Sequence, residues 1–232
     1  MKKRSIKQRD GQFIIIAVLF IATMIISIGT MLYTTSTYYK YEPWEEYLTL
    51  IGNIELSSQR LVELSLANYT YDPDVNSNTL EKNLRLWQSD LMEIHPGYGI
   101  DLDYSLNDKA LDYNWSGSEA FSSANVTFTL NINSLGLSGY KFSSTLFLNL
   151  KILDDTVGGK TINISVTDNG LPLINLKKTN FSVEGLDIKN VTSNYDQDGL
   201  FYTIYLDVTE DISSPVTVSF WDYRGIKVKA TK

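Results

Sequence analysis

The stretch FIIIAVLFIATMIISIGTMLY, from Phe13 to Tyr33, decides how the chain is organised. It lies within 29 consecutive uncharged residues that run from Gly11 to Tyr39. A helix of 21 residues rises about 31 Å, which is roughly the thickness of the hydrocarbon core of a bilayer. The stretch therefore predicts a transmembrane helix over residues 12–34, with membrane lipid as its partner. A buried core helix is the alternative, but it would not need so long an uncharged run.

The charges that flank the apolar run predict its orientation. One acid, Asp10, and five basic residues precede the run, and the basic residues are Lys2, Lys3, Arg4, Lys7 and Arg9. Because cytoplasmic flanks carry an excess of lysine and arginine, we expect the basic tip at residues 1–11 in the cytoplasm and the C-terminal domain outside the cell. A cleaved secretory signal peptide is the rival interpretation. Such peptides have a shorter apolar region and a small-residue cleavage site, so a retained helix in the cell membrane is favoured.

The composition of the exported part excludes several classes of function. Residues 12–232 hold 15 basic and 26 acidic residues, a net charge of −11, so nucleic acid is not an expected partner. The chain has no cysteine, which excludes disulfide scaffolds and thiolate metal sites. Its one histidine, His95, has no second histidine or cysteine with which to complete a transition-metal site. No catalytic triad signature or phosphate-binding glycine loop is visible, so we expect no enzyme activity and no cofactor.

Two helices are predicted between the membrane and the strands, and they make up a helical neck over residues 35–97. The first begins near Pro43 and continues to about Ala67. Residues 68–78 are rich in turn formers and predict a loop. The second begins at Thr79 and carries one apolar stripe, formed by Leu80, Leu84, Trp87, Leu91 and Ile94. We expect this stripe to pack on the chain's own helix and sheet, and a seam for self-association is the alternative.

From residue 98 onward apolar residues alternate with polar ones, which predicts antiparallel strands over residues 98–155. Turn signals such as NDKA at 107–110 and NWSGS at 114–118 separate these strands. Beyond a linker formed by Asp154-Asp155 and Gly158-Gly159, about seven short strands predict an immunoglobulin-like β-sandwich over residues 156–232. The fold class is therefore α+β, with a transmembrane helix, a helical neck and an antiparallel β ectodomain. Whether the two β regions are separate domains or one continuous sandwich stays open.

Short motifs indicate two kinds of candidate site. Six N-glycosylation sequons are present where chance predicts about three, and their asparagines are Asn68, Asn114, Asn125, Asn163, Asn180 and Asn190. A composition rich in Asn, Ser and Thr is the alternative explanation for this excess. Asn194, Asp196 and Asp198 imitate the first half of a calcium loop, but Asp-Gly between two strand-like runs favours a hairpin.

The C-terminal segments occur in the order NGLPL, NFSV, a DG hairpin, a long aromatic strand and VTVSFWDYRGIKVKA. This order resembles immunoglobulin-like modules of prokaryotic surface proteins. The N-terminus, KKRSIKQRDG followed by QFIIIAVLFI, resembles archaeal type IV pilin-like and archaellin-like signals. In those signals a prepilin peptidase cuts after the glycine, which implies cleavage between Gly11 and Gln12. As a whole the chain is similar to uncharacterised archaeal membrane-anchored surface proteins, a resemblance that implies no enzymatic activity.

Together these features predict a single-pass membrane-anchored extracellular surface protein with a structural or adhesive role, such as a pilin-like subunit. An extracytoplasmic accessory or binding subunit of a secretion or pilus assembly system is the alternative. Beyond membrane lipid, the expected partners are further copies of the chain or other surface proteins, contacted through the exposed sheet edges and loops of residues 156–232.

Overall fold

The structure is a computed structural model that describes residues 18–34, 44–73, 78–155, 160–197, 199–208 and 215–232. The chain divides into two compact units, Met1–Asn53 and Ile54–Lys232. The predicted basic tip, the predicted cleavage site at Gly11 and Gln12, and the start of the apolar run at Phe13 lie outside the described residues.

The first unit contains helix α1, which is described over residues 18–34 and includes Tyr33. All of its side chains are exposed, and eleven of them are large and apolar. Its threonine hydroxyls donate to carbonyl oxygens of the same helix, as Thr23 does to Phe20 O at 2.8 Å. In the described parts of the chain, no helix combines the length and the apolar character that crossing a membrane requires.

Helices α2 (Trp44–Tyr71) and α3 (Thr79–Ile94) run antiparallel and are locked together by side chains. Two buried serines of α2 accept hydrogen bonds from α3: Trp87 Nε1 donates to Ser58 Oγ at 3.0 Å, and Asn83 Nδ2 donates to Ser65 Oγ at 2.9 Å. The predicted apolar stripe of α3 packs within the chain in part: Leu80, Leu84 and Leu91 are buried, whereas Ile94 is exposed.

The prediction of a loop from Asn68 is wrong for its first four residues, because α2 continues to Tyr71. Thr70 explains the difference. Its hydroxyl is buried, donates to Ala67 O at 3.1 Å and accepts a hydrogen bond from Lys227 N at 3.1 Å. This contact joins positions that are distant in sequence, so it overrides the local preference for a turn.

Within the described residues ten strands follow the helices: β1 (Ile100–Asn114), β2 (Glu119–Ile132), β3 (Leu137–Asp155), β4 (Thr161–Asp168), β5 (Leu171–Pro172), β6 (Phe181–Val183), β7 (Ile188–Asp196), β8 (Gly199–Leu206), β9 (Thr217–Trp221) and β10 (Lys227–Thr231). Seven of them form one antiparallel sheet in the order β1-β2-β3-β4-β8-β7, with β5 paired to β4. The predicted turn at residues 107–110 is wrong. Strand β1 passes through these residues with a shift of register against β2 between Leu106 and Leu111, which is the behaviour of a β-bulge.

The large sheet buries one face, as the alternation of predicted strands requires. Along β2 every second residue from Ala120 to Ile132 is buried. Helix α3 packs on this inner face at β1. The second sheet, in the order β6-β9-β10, packs elsewhere on the same face, where Ser122 Oγ of β2 donates to Lys227 O of β10 at 2.6 Å. The helices and the small sheet therefore cover different parts of the same apolar face of the large sheet.

The coarse prediction of an α+β fold with mostly antiparallel sheets is confirmed. Strand β3 pairs with β2 on one side and with β4 on the other. Strands of the predicted region 98–155 and of the predicted region 156–232 thus belong to one sheet, within the compact unit Ile54–Lys232. The predicted linker is wrong at Asp154 and Asp155, because both residues belong to β3 and pair with β4, and its remaining residues, 156–159, lie outside the described residues.

Candidate functional site at the loop end of the paired sheets

Three connections lie at one end of the two sheets, and we call this end the loop end. They are residues 169–180 between β4 and β6, the turn between β7 and β8, and residues 222–226 between β9 and β10. Because β8 runs antiparallel to β4, with Tyr202 opposite Ile164, the start of β8 lies beside the end of β4. The turn before β8 and the connection after β4 are therefore neighbours.

Side-chain contacts join the other two connections. Arg224 Nη2 lies 2.7 Å from Asp168 Oδ2, which ties the β9–β10 turn to the last residue of β4. Asn180 Nδ2 donates to Trp221 O at 3.0 Å and ties the far end of residues 169–180 to the last residue of β9. Both sheets therefore contribute to one surface.

Four large apolar or aromatic side chains project from the loop end into solvent. Leu171 is 73% exposed, Ile174 64%, Tyr195 76% and Tyr223 83%. Single exposed apolar residues are common on proteins, but several of them on the loops of one rigid end are typical of an interaction surface. This surface is the candidate functional site.

The turn that carries Tyr223 is built by Asp222. This residue is 6% exposed, and its Oδ1 accepts hydrogen bonds from Arg224 N and from Ile226 N, both at 2.9 Å. Aspartate at the first position and glycine at the fourth are preferred in a type I turn. Gly225 has a φ of 85°, a left-handed conformation that costs glycine little. The sequence DYRG therefore folds into a tight turn that turns Tyr223 outward.

Arg224 holds this turn against the body of the protein. Its side chain is only 9% exposed, and it bonds Asp222 and Asp168 while its Nη1 lies 3.5 Å from Glu63 Oε1 on α2. Burial lowers the pKa of Arg224, but the hydrogen bonds and charges of Asp222 and Asp168 outweigh it and raise that pKa overall. The guanidinium therefore stays charged and joins helix α2, strand β4 and the β9–β10 turn. We call Arg224 with its partners Asp222, Asp168 and Glu63 the clasp.

One guanidinium faces three carboxylates, and Asp168 Oδ1 is buried with no hydrogen-bond partner in the described structure. Within the described residues, no group of three or more Asp, Glu, His or Cys side chains is arranged to hold a metal ion. A planar guanidinium suits this place because its fork of donors bonds several carboxylates at once.

Tyr202 supports the loop end from inside. Its buried hydroxyl donates to Leu173 O at 2.8 Å and accepts a longer hydrogen bond, 3.4 Å, from Leu176 N. Its ring lies 6.0 Å from that of Phe181 on β6, so it links the two sheets. Burial raises the pKa of Tyr202, with an opposing effect of the bond from Leu176 and a further rise from nearby Tyr195.

The residues of the calcium motif form a hairpin. Asp196 pairs with Gly199, and Asp196 Oδ1 accepts a hydrogen bond from Gly199 N at 3.1 Å. The amide Nδ2 of Asn194 donates to Thr203 Oγ1 at 2.9 Å, across the outer face of the sheet. The predicted hairpin is therefore confirmed, and Asp198 lies outside the described residues.

The six sequon asparagines are spread over several elements. Asn68 is exposed on α2, Asn114 at the end of β1, Asn125 on β2 and Asn190 on β7. Asn163 and Asn180 are half-buried. The structure does not gather them at the loop end, where only Asn180 lies.

Sequence reasoning did not single out the loop end. The segments NGLPL and WDYRG served as markers of strand order, and their apolar residues Leu171 and Tyr223 were given no role. A usable signal was present in the sequence, since large apolar residues inside turn-like segments have no core position to fill. What the sequence could not reveal is that these turns share one end.

We predict that Arg224→Ala lowers the free energy of unfolding by about 3–5 kcal/mol, because it leaves buried carboxylates uncompensated. Arg60→Ala is the matched control, since Arg60 is exposed on α2, and it should change stability by no more than about 0.5 kcal/mol. Chemical denaturation of the full chain in detergent measures both. If the two variants were equally stable, the claim that the ion pairs of Arg224 hold these elements together would be wrong.

Tyr202→Phe removes the two hydrogen bonds of the hydroxyl and should cost about 1–2 kcal/mol at neutral pH. Since the folded pKa of Tyr202 is raised above its ordinary value of 10.0, this contribution is fully present below pH 10 and is lost as pH rises through the raised pKa. The difference in stability between the two proteins should therefore shrink above pH 10. A difference that stays constant from pH 7 to pH 11 would contradict a buried, protonated hydroxyl.

Comparison with protein families, with characterised proteins and with solved structures gave no significant match to this chain. The resemblance of the sequence to archaeal surface proteins therefore stays a prediction. Any function assigned to the chain rests on the geometry of its own residues.

Proposed function

We propose that the chain is a single-pass membrane-anchored extracellular surface protein with a structural or adhesive role, and that its loop end is the contact surface. The observation that carries this proposal is helix α1, whose described side chains are all exposed and uncharged. Ten of them, Tyr33 excluded, are large aliphatic, Met or Phe side chains, and removing these from water is worth on the order of 10–20 kcal/mol. These side chains therefore favour an apolar environment around the helix.

A bilayer is the surrounding that the sequence favours. The apolar run from Phe13 to Tyr33 has 21 residues and as a helix would be about 31 Å long, which fits one crossing. The five basic residues before this run favour a cytoplasmic N-terminus. Residues 54–232, with their acidic surface and their lack of cysteine, would then lie outside the cell.

The order of strands supports an immunoglobulin-like module. Constant-type immunoglobulin domains have one sheet in the order A-B-E-D and a second in the order C-F-G. Strands β3-β4-β8-β7 and β6-β9-β10 follow the same order, and each neighbouring pair is antiparallel. In this assignment strand A is β3, so the proposed module begins at Leu137 and not at residue 156. Strands β1 and β2 extend its first sheet beyond strand A.

This assignment also supports the role of the loop end. The connections 169–180, β7–β8 and β9–β10 take the places of the B–C, D–E and F–G loops. Loops at one end of such sandwiches carry binding surfaces in variable domains, and here they present Leu171, Ile174, Tyr195 and Tyr223. Aromatic residues supply much of the binding energy at protein interfaces. A protein partner on the same or a neighbouring cell surface fits this composition.

A filament of pilin-like subunits is the second candidate, because a bundle of like helices would bury α1 as well as lipid does. Mass spectrometry of the native N-terminus separates the two. A mature chain that begins at Gln12 favours the filament subunit, whereas one that keeps Met1 or Lys2 favours the simple anchor.

The lack of cysteine permits a direct test of topology. A single Tyr223→Cys variant should react with a membrane-impermeant maleimide on intact cells, since this side chain is highly exposed. A matched Ser5→Cys variant, at the predicted cytoplasmic tip, should react only after the cells are permeabilised. If intact cells label the Ser5→Cys variant and leave the Tyr223→Cys variant unlabelled, the orientation is reversed. If the chain can be extracted from cells without detergent, the proposal of a membrane anchor is wrong.

A further inference from the structure

The six sequons differ in whether their asparagine amide can accept a sugar. Transfer of a sugar to the folded chain needs the side-chain nitrogen Nδ2 in solvent and free of other hydrogen bonds. Asn180 fails this condition, because it is half-buried, its Oδ1 accepts from Lys177 N at 2.9 Å and its Nδ2 donates to Trp221 O at 3.0 Å. Its amide is part of the loop end.

Asn190 meets the requirement for exposure to solvent. It is exposed on β7, the last strand at one edge of the large sheet, and it follows a shift of register between Ile188 and Asn190. It pairs with Tyr205, and paired residues lie on the same face, so both point to the outer surface of the sheet. Tyr205 is itself partly exposed, and its ring offers an apolar face beside the amide.

The position of Asn190 also gives a sugar a physical role. An edge strand presents unpaired backbone groups that can recruit a strand of another molecule, and proteins protect such edges. Strand β7 has nine residues, and only β8 pairs with it in the described structure. A bulky hydrated oligosaccharide on this strand would block edge-to-edge pairing.

The geometry points to Asn190 as an N-linked glycosylation site that shields the β7 edge, and to Asn180 as a sequon that stays unmodified. In the transfer, Nδ2 of Asn190 bonds to the anomeric carbon of an oligosaccharide carried on a lipid phosphate. The bond from that carbon to the phosphate oxygen breaks, the amide loses one proton, and the lipid phosphate leaves, so no oxidant or reductant is needed. This inference rests on the proposed export of residues 54–232.

The test is glycopeptide mass spectrometry of the full chain purified from the membranes of the cells that naturally make it. The peptide with Asn190 should carry a hexose-containing mass increment in most molecules, and the peptide with Asn180 should carry none. Thr192→Ala should abolish the increment, while Thr192→Ser, which keeps the sequon, should retain it.

Three results would overturn the inference: a bare Asn190, an occupied Asn180, or an increment that survives Thr192→Ala. The maleimide labelling at position 223 separates this failure from failure of the proposed function. A chain that is labelled from outside but bare at Asn190 is exported without this modification. If the chain is not labelled from outside, both the proposed function and the glycosylation of Asn190 are wrong.

Discussion

The large sheet has one apolar face that must be covered along its whole width, and the rest of the fold follows from this constraint. The face runs from Ile100 and Leu102 on β1 to Ile204 and Leu206 on β8, and all four residues are buried. No single described element is wide enough to cover it. The helix pair covers the part near β1, and the small sheet covers another part. Because both lie on the same sheet, the two predicted β regions, 98–155 and 156–232, belong to one compact unit, Ile54–Lys232.

The loop end depends on the same arrangement. The small sheet and helix α2 meet where Arg224 faces Glu63 and Asp168, and Lys227 N donates to Thr70 at the last turn of α2. Buried charge of this kind adds little net stability, but it is costly to break, so it specifies one arrangement of the elements it joins. The consequence for function is that the turn with Tyr223 is held by contacts with two other elements, α2 and β4. A surface held in this way loses little conformational entropy when it binds.

Much of the architecture could be predicted from the sequence, because it depends on local patterns. The alternation in VTFTLNI of β2 predicted a half-buried strand. The apolar stripe from Leu80 to Ile94 predicted a packed helix face, and its three leucines are buried. The predictions were wrong where contacts between residues distant in sequence determine the local secondary structure. Residues 68–71 stay helical because Thr70 meets β10, and residues 107–110 stay in β1 because the strand pairs with β2 on both sides of them. The candidate site depends still more on distant contacts, since Asp168 and Arg224 are joined only by the packing of two sheets.

The most direct test of this account is native-state hydrogen exchange of the full chain in detergent micelles. It compares amides in the centre of β2, such as those of Val126 and Phe128, with the amides of Ile226 and Lys227 beside the clasp. If both sheets and the helix pair form one unit, these amides should exchange only through global unfolding and give the same free energy. Exchange of Ile226 and Lys227 at a free energy several kcal/mol lower than that of β2 would show that the small sheet opens by itself, and would contradict the account.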